Sequence, residues 1–163
     1  MLVFKFGGAS VKSADAVRNI VSILEKYSDK SIVVVVSAMG KTTNALERII
    51  EAYADGKSEV LEKEFNMLKA YHEEIAEGLF GKEAHDGHAA LECLMEELKL
   101  RLQKEPTLNF DYDYDQLIGY GELLSTTLIS HYLNQSGLPA RWMDIRRSLK
   151  SNNTWREARI DWD

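Results

Sequence analysis

The sequence has little cysteine, little proline and no excess of basic residues. Its 163 residues include one cysteine, Cys93, and two prolines, and the formal net charge is −6. A single cysteine excludes a disulfide framework, and a negative charge without a basic stripe argues against nucleic acid as the main partner. No stretch approaches the roughly 20 apolar residues of a membrane span, and the first residues lack the pattern of a signal peptide. We therefore expect a soluble, cytoplasmic protein that binds neither nucleic acid nor membrane.

The first 36 residues carry the pattern of a β-α-β unit. A short apolar run at residues 3–6 is followed by a helical pattern, and then by five residues, 32–36, that are all isoleucine or valine. Because this second run does not alternate with polar residues, it predicts a parallel strand covered on both faces. Residues 140–144 predict a third strand. The expected fold is α/β, with a parallel sheet in a three-layer α/β/α arrangement.

Two long helical patterns lie between residues 57 and 104 and predict a helical hairpin inserted into this fold. Ser58 is the expected N-cap of the first helix, and the loop from Gly81 to Gly87 separates the two. His72 falls on the apolar side of the first helix, and it is expected to be a packing or surface residue.

The end of the first strand has the composition of an anion-binding loop. Lys5 is followed by Gly7, Gly8 and Ser10, and a helix comes next. Glycines let the backbone approach a phosphate closely, and a helix N-terminus adds unpaired N–H donors. A lysine inside a buried strand is costly unless its ammonium group meets an anion. This segment therefore predicts a phosphate site, against the simpler interpretation of a lysine that extends from an edge strand into water.

A second loop of small and polar residues, 37–44, follows the second strand. Because the carboxyl ends of parallel strands meet at one sheet edge, the two loops should lie together there. Gly40, Lys41 and Thr42 also resemble the end of a P-loop, which leaves a P-loop nucleotidase as an alternative. That motif needs a glycine at position 35, where the chain has Val35.

A third group combines two glycines with an acid in a helical pattern, at Gly119, Gly121 and Glu122. Glycines weaken a helix, so they predict close access at this point, and a carboxylate there can accept hydrogen bonds from an ammonium group. His85 and His88 have no further ligand cluster around them, and we expect no metal site.

Four segments together resemble the aspartate kinases, members of the amino acid kinase family. They are KFGGASV at 5–11, VSAMGKTTN at 36–44, GELLS at 121–125 and WMDIR at 142–146. They occur in the order of that family and at about its spacing. Ala9 stands where threonine is usual, which removes one hydroxyl and leaves the two glycines in place.

The resemblance implies phosphoryl transfer from Mg-ATP to the β-carboxylate of L-aspartate, with ATP and Mg²⁺ as cofactors and a homo-oligomer as the complete enzyme. The residues that it implies for the phosphates are Lys5, as the catalytic lysine, with Gly7, Gly8, Ser10 and Ser37. For the amino acid it implies Glu122 and a threonine, Thr42 or Thr43, of which Thr43 is favoured because it directly precedes Asn44. Asp144 and Arg146 are expected to support the shape of the site.

In the resembling family, a second half of the kinase domain and regulatory ACT domains follow the portion that matches here. Residues 1–163 are therefore expected to form the N-terminal portion of the kinase domain, without the adenine side of the site. A different class of function is a binding or assembly module without catalysis of its own, which associates through an exposed sheet edge.

Overall fold

A computed structural model describes residues 1–162. The regular elements are two strands and six helices, which are numbered along the chain: β1 Leu2–Phe6, α1 Ala14–Glu25, β2 Ile32–Val36, α2 Thr42–Ala54, α3 Ser58–Phe80, α4 Asp86–Leu102, α5 Phe110–Ile118 and α6 Tyr120–Gln135. Short 3₁₀ turns at Gly8–Val11 and Ile145–Arg147 complete the set. The expectation of an α/β fold with a parallel sheet is confirmed, and helix dominates it.

β1 and β2 form a parallel pair in which Leu2 faces Ile32 and Phe6 faces Val36. One face of this pair packs on the core through Phe6 and Val36, which are buried. The opposite face is open: Val3 is 64% exposed and Val35 is 46% exposed. The prediction that both faces of β2 are covered is therefore wrong for residues 1–162, because only one helical layer packs against the sheet there.

The predicted third strand is also wrong. Residues 138–144 have no strand geometry, and the sheet of the described chain contains only β1 and β2. The side-chain amide of Asn134 donates to the carbonyl of Ala140 at 2.9 Å and accepts from its N–H at 3.0 Å. These two bonds use the backbone groups of Ala140 that pairing with a neighbouring strand would need.

The inserted helical hairpin is present as α3 and α4. Lys69 of α3 and Glu92 of α4 form an ion pair at 2.9 Å, and Phe80 at the end of α3 stacks on His85 at 4.2 Å between ring centres. The two helices are therefore antiparallel. The N-cap of α3 is Lys57, and Ser58, expected as the cap, is the first helical residue.

The core is formed by the sheet and all six helices. Its fully buried members include Met39, Leu46, Ile49, Ile50, Leu98, Leu124 and Leu128. No helix within residues 1–162 is both long enough and apolar enough to cross a membrane.

Candidate functional site

The carboxyl ends of β1 and β2 meet, as the sequence predicts. The N–H of Ser37 donates to the carbonyl of Phe6 at 3.0 Å, and the N–H of Gly40 donates to the carbonyl of Gly8 at 3.0 Å. The loop after β1, residues 7–13, and the loop after β2, residues 37–41, therefore lie side by side. We call them the first loop and the second loop.

Gly8 is the residue that lets the two loops approach each other. A β-carbon added there would lie 2.7 Å from the carbonyl oxygen of Ala38 and 3.1 Å from that of Gly40. The first distance is shorter than real β-carbons show and the second is unusually tight, and both are to backbone atoms, which cannot move aside cheaply. The glycine predicted for approach to a phosphate thus also has a packing role between the loops.

Lys5 reaches the first loop from the open face of the sheet. Its side chain is exposed, and its Nζ lies 3.7 Å from the position that a β-carbon on Gly7 would occupy. The expectation of a buried lysine is wrong, because alternation along β1 places Lys5 on the uncovered face. Its charge is nevertheless uncompensated: Lys5 forms no ion pair with any residue of 1–162.

Two further lysines border the loops without a carboxylate partner in the described chain, Lys12 and Lys41. The β-carbon of Lys12 lies 3.5 Å from the position of a β-carbon on Gly40, the residue before Lys41. Sequence reasoning missed Lys12, although it directly follows the first motif. Three unpaired ammonium groups at these loops favour an anionic ligand, in a chain whose net charge is −6.

Glu122 joins the site from α6. Its Oε1 accepts from the N–H of Ala38 in the second loop at 3.2 Å. Gly121 makes this approach possible, since a β-carbon there would lie 2.8 Å from the β-carbon of Ala38. The Glu122 carboxylate makes no other hydrogen bond or ion pair in the part of the chain described, and its side chain is exposed. It can therefore accept hydrogen bonds from a ligand.

The two threonines of the second motif differ in exposure. Thr42 is buried, and its hydroxyl lies 3.4 Å from Nε2 of His72. Thr43 is exposed in the first turn of α2. Only Thr43 is free to meet a ligand, which agrees with the choice made from the sequence and leaves the binding role itself a prediction.

Ser10 lies in the first loop and Ser37 begins the second loop. Ser10 is exposed in the 3₁₀ turn, where its N–H donates to the carbonyl of Gly7 at 2.8 Å, and Ser37 is half-buried at the end of β2. Neither hydroxyl has a hydrogen-bond partner among residues 1–162. Both can therefore donate to a bound ligand.

Asp144 and Arg146 lie in the segment that follows α6 and form no hydrogen bond or ion pair with the first or second loop among residues 1–162. The Arg146 guanidinium donates to the carboxylate of Asp144 at 2.7 and 2.9 Å, and this bonding lowers the pKa of Asp144. Nearby, the indole N–H of Trp142 donates to the hydroxyl of Thr126 at 3.0 Å. The structure does not bring this pair together with Lys5 or Glu122.

The remaining candidates do not form a site. Val35 lies inside β2, so the chain has no loop at the place where a P-loop begins. His85 and His88 pack around the ring of Phe80. Across residues 1–162, no group of three or more histidine, cysteine, aspartate or glutamate side chains could hold a metal ion.

Comparison with protein families matches residues 1–161 to the amino acid kinase family. Among curated relatives, Aspartokinase 2, chloroplastic, of Arabidopsis thaliana is 39% identical over 145 residues, which cover 87% of this chain and 26% of the relative. The bifunctional aspartokinase/homoserine dehydrogenase 2 of Escherichia coli K12 is 30% identical over 148 residues, with 90% of this chain and 18% of the relative covered. The chain thus spans about a quarter or less of the length of these relatives.

Solved structures show the same likeness. E. coli aspartokinase III in complex with aspartate and ADP superposes with a TM-score of 0.85 at 25% identity, over 99% of this chain and 35% of that one. The same enzyme in complex with lysine and aspartate gives a TM-score of 0.83 at 26% identity. The resemblance that the four sequence motifs predict is confirmed.

Proposed function

This chain belongs to the amino acid kinase family, and we propose that it is the N-terminal portion of the kinase domain of an aspartokinase. The reaction is phosphoryl transfer from Mg-ATP to the β-carboxylate of L-aspartate, which gives 4-phospho-L-aspartate. The observation that carries this proposal is the meeting of the first loop, the second loop and Glu122 at one edge of the sheet, beside the unpaired charge of Lys5. The solved structure of E. coli aspartokinase III in complex with aspartate and ADP supports the choice of substrates.

In this proposal the first loop holds the phosphates. The ammonium group of Lys5 bridges the phosphate oxygens, and the N–H groups of Gly7 and Gly8 donate to them. The free hydroxyls of Ser10 and Ser37 add two more donors. Mg²⁺ enters as part of the nucleotide substrate, because nucleotide phosphates are its preferred partners.

The amino acid lies between the second loop and α6. The carboxylate of Glu122 accepts from the α-ammonium group of aspartate, with one oxygen already fixed by the N–H of Ala38. Thr43 donates its exposed hydroxyl to a substrate oxygen. Fixing Glu122 through the second loop sets the direction of the substrate relative to the phosphates.

The chemistry needs no general base, because the β-carboxylate of aspartate is already ionised at neutral pH. Catalysis then depends on aligning this carboxylate with the γ-phosphorus and on neutralising charge on the transferred group. Lys5 neutralises the charge on the transferred group. The loops align the carboxylate with the γ-phosphorus, because the hydrogen bond from the N–H of Gly40 to the carbonyl of Gly8 holds their backbones together.

We also propose a domain context, a compartment and a metabolic role for the complete enzyme. The adenine side of the site belongs to a second half of the kinase domain, and the active enzyme is a cytoplasmic homo-oligomer. Its product enters the biosynthesis of lysine, threonine and methionine. The aspartokinase relatives, of which this chain covers only a part, support the larger kinase domain and the biosynthetic role, and the compartment and the oligomeric state stay predictions.

The test is carried out in the longer kinase polypeptide that the proposal implies. Lys5→Ala should lower kcat by about 10²- to 10³-fold, as expected for loss of a group that stabilises developing charge. Lys63→Ala, an exposed lysine of α3, is the matched control and should leave kcat unchanged. Glu122→Ala should mainly raise the KM for aspartate. Near-normal turnover of Lys5→Ala, with the control also normal, would remove Lys5 from the mechanism.

A second candidate function is a non-catalytic binding or assembly module. It is favoured by the open face of the sheet, where Val3, Val33 and Val35 are exposed beside Lys5. Exposed apolar sheet surfaces favour association. Sedimentation of the 163-residue chain distinguishes the two: concentration-dependent association without binding of ATP or aspartate supports the module, and a monomer at high concentration counts against it.

A further inference from the structure

We propose that Tyr71 and His72 of α3 are positioning residues that hold the two loops of the site in register. The inference rests on the proposed function for its effect on substrate binding, whereas its structural part concerns the loops alone. It gives the inserted helical hairpin a role in the site, although neither residue borders the phosphate or amino acid positions assigned above.

Tyr71 contacts both loops at once. Its hydroxyl donates to the carbonyl of Lys12 at 2.7 Å, at the end of the first loop. The same hydroxyl lies 2.6 Å from the position that a β-carbon on Gly40 would take, in the second loop. Gly40 has a φ of 54°, a conformation that favours glycine, so its backbone both turns the loop and makes room for the Tyr71 hydroxyl.

His72 anchors the start of α2. It is fully buried, and Nδ1 lies 2.9 Å from the carbonyl oxygen of Leu68. A carbonyl only accepts, so Nδ1 carries the proton and the neutral Nε2 accepts from the hydroxyl of Thr42. Burial lowers the pKa of His72 and so favours the neutral ring. A single tautomer thus connects α3 to the first residue of α2.

The start of α2 depends on this contact because it has no side-chain cap. Lys41 is its N-cap residue and makes no capping hydrogen bond. Thr42 is therefore fixed by His72 on one side and by α6 on the other, where its methyl carbon would lie 3.4 Å from a β-carbon on Gly121. Thr43 follows directly, so the direction of its exposed hydroxyl is set by how Thr42 is held.

Two variants remove the contacts with little change in shape: Tyr71→Phe deletes one hydroxyl, and His72→Leu deletes the acceptor for Thr42. Tyr132→Phe is the matched control, a hydroxyl deletion on α6 at a ring that packs on Phe80. His72→Gln, which can again accept from Thr42, tests rescue. Amide hydrogen exchange of residues 8–12 and 37–43 is measured in this chain, together with the urea midpoint, and the kinetics are measured in the longer kinase polypeptide.

We expect Tyr71→Phe and His72→Leu to speed amide exchange in the loops by about fivefold, as for loss of one hydrogen bond. The KM for aspartate should rise by a similar factor, with rescue in His72→Gln and no change in Tyr132→Phe. Unchanged loop exchange in both variants would overturn the inference, and so would faster exchange with an unchanged KM. A wild-type polypeptide that fails to phosphorylate aspartate would instead overturn the proposed function, and loop exchange would still decide whether α3 holds the loops.

Discussion

At the scale of single residues, two glycines close together in sequence have different surroundings. Gly119 lies between α5 and α6 at φ −65°, and a β-carbon there would meet nothing within 4 Å. Gly121 is the second residue of α6 and packs against the second loop, where a β-carbon would lie 2.8 Å from that of Ala38. Of the two positions, only 121 needs glycine for packing, because α6 approaches Ala38 closely there.

We predict that Gly121→Ala lowers the free energy of unfolding by about 1–3 kcal/mol, because α6 must move away from Ala38. Gly119→Ala, the matched control, should raise it by about 0.5–1 kcal/mol, since alanine restricts the unfolded chain and suits this helical conformation. Urea denaturation of the two variants measures both. Equal effects of the two substitutions would contradict the packing explanation.

His72 should make stability depend on pH in a defined direction. Its pKa is lowered in the folded chain by burial, from an ordinary value near 6.5. Below about pH 6.5 the unfolded chain takes up a proton that the folded chain resists, so stability falls as the pH falls toward the folded pKa.

The prediction is that the urea midpoint of the wild type decreases between pH 7 and pH 5, and that His72→Gln removes part of this decrease. Other groups titrate in the same range, so the quantity to compare is the difference between the two proteins at each pH. A difference that stays constant over this range would show that His72 is not the group concerned.

At this scale Gly8 and Glu122 can be singled out from the sequence, because a glycine pair and an isolated acid are visible as motifs, and their binding roles stay predictions. The sequence predicts that His72 is a packing or surface residue, and it does not show the bond to Thr42. That bond joins residues 30 positions apart, and nothing in the local pattern of either residue specifies it. Lys12 is missed for a related reason: the sequence alone does not show that this exposed lysine lacks a carboxylate partner.

At the scale of elements, β1, β2 and the helical hairpin could be predicted, and the third strand could not. The segment after α6 contains Trp142 and Met143, which suit a strand by composition. Its conformation is set instead by Asn134, whose side chain bonds both backbone groups of Ala140. Strand propensity predicts the wrong conformation here because the Asn134 side chain occupies the backbone N–H and carbonyl that strand pairing would use.

Asn134→Ala should therefore release this segment. We expect a loss of about 1–3 kcal/mol in the free energy of unfolding, because two backbone hydrogen bonds of Ala140 disappear, and faster exchange of the Ala140 amide. Gln135→Ala, an exposed neighbour at the end of the same helix, should change neither quantity. Retention of slow exchange at Ala140 in Asn134→Ala would show that another contact holds the segment.

At the scale of the whole molecule, the sheet has one face in the core and one in solvent. The five-residue aliphatic run of β2 predicts cover on both faces, and the layer for the second face is not found among residues 1–162. The proposal that this chain forms one portion of a larger kinase domain accounts for the difference, since the composition of a strand reflects the surroundings it has in the complete domain.

A pair of neighbouring residues tests the two faces of the sheet. Val36→Ala should cost about 2 kcal/mol in the free energy of unfolding, because Val36 is only 8% exposed and its methyl groups leave a cavity. Val35→Ala, at 46% exposure, should cost less than about 0.5 kcal/mol. Thermal or urea denaturation of the isolated chain measures both. Similar costs at the two positions would mean that the second face is covered in solution.

The length of α3 has a mechanical consequence. Its 23 residues form a stiff rod about 34 Å long, braced along its length by α4. A rod transmits rotation and translation from one end to any point along it, and Tyr71 and His72 are such points. A displacement of the turn between α3 and α4 would therefore be carried along α3 to Tyr71 and His72, and through their contacts with Lys12 and Thr42 to the first loop and to the residue that follows the second loop.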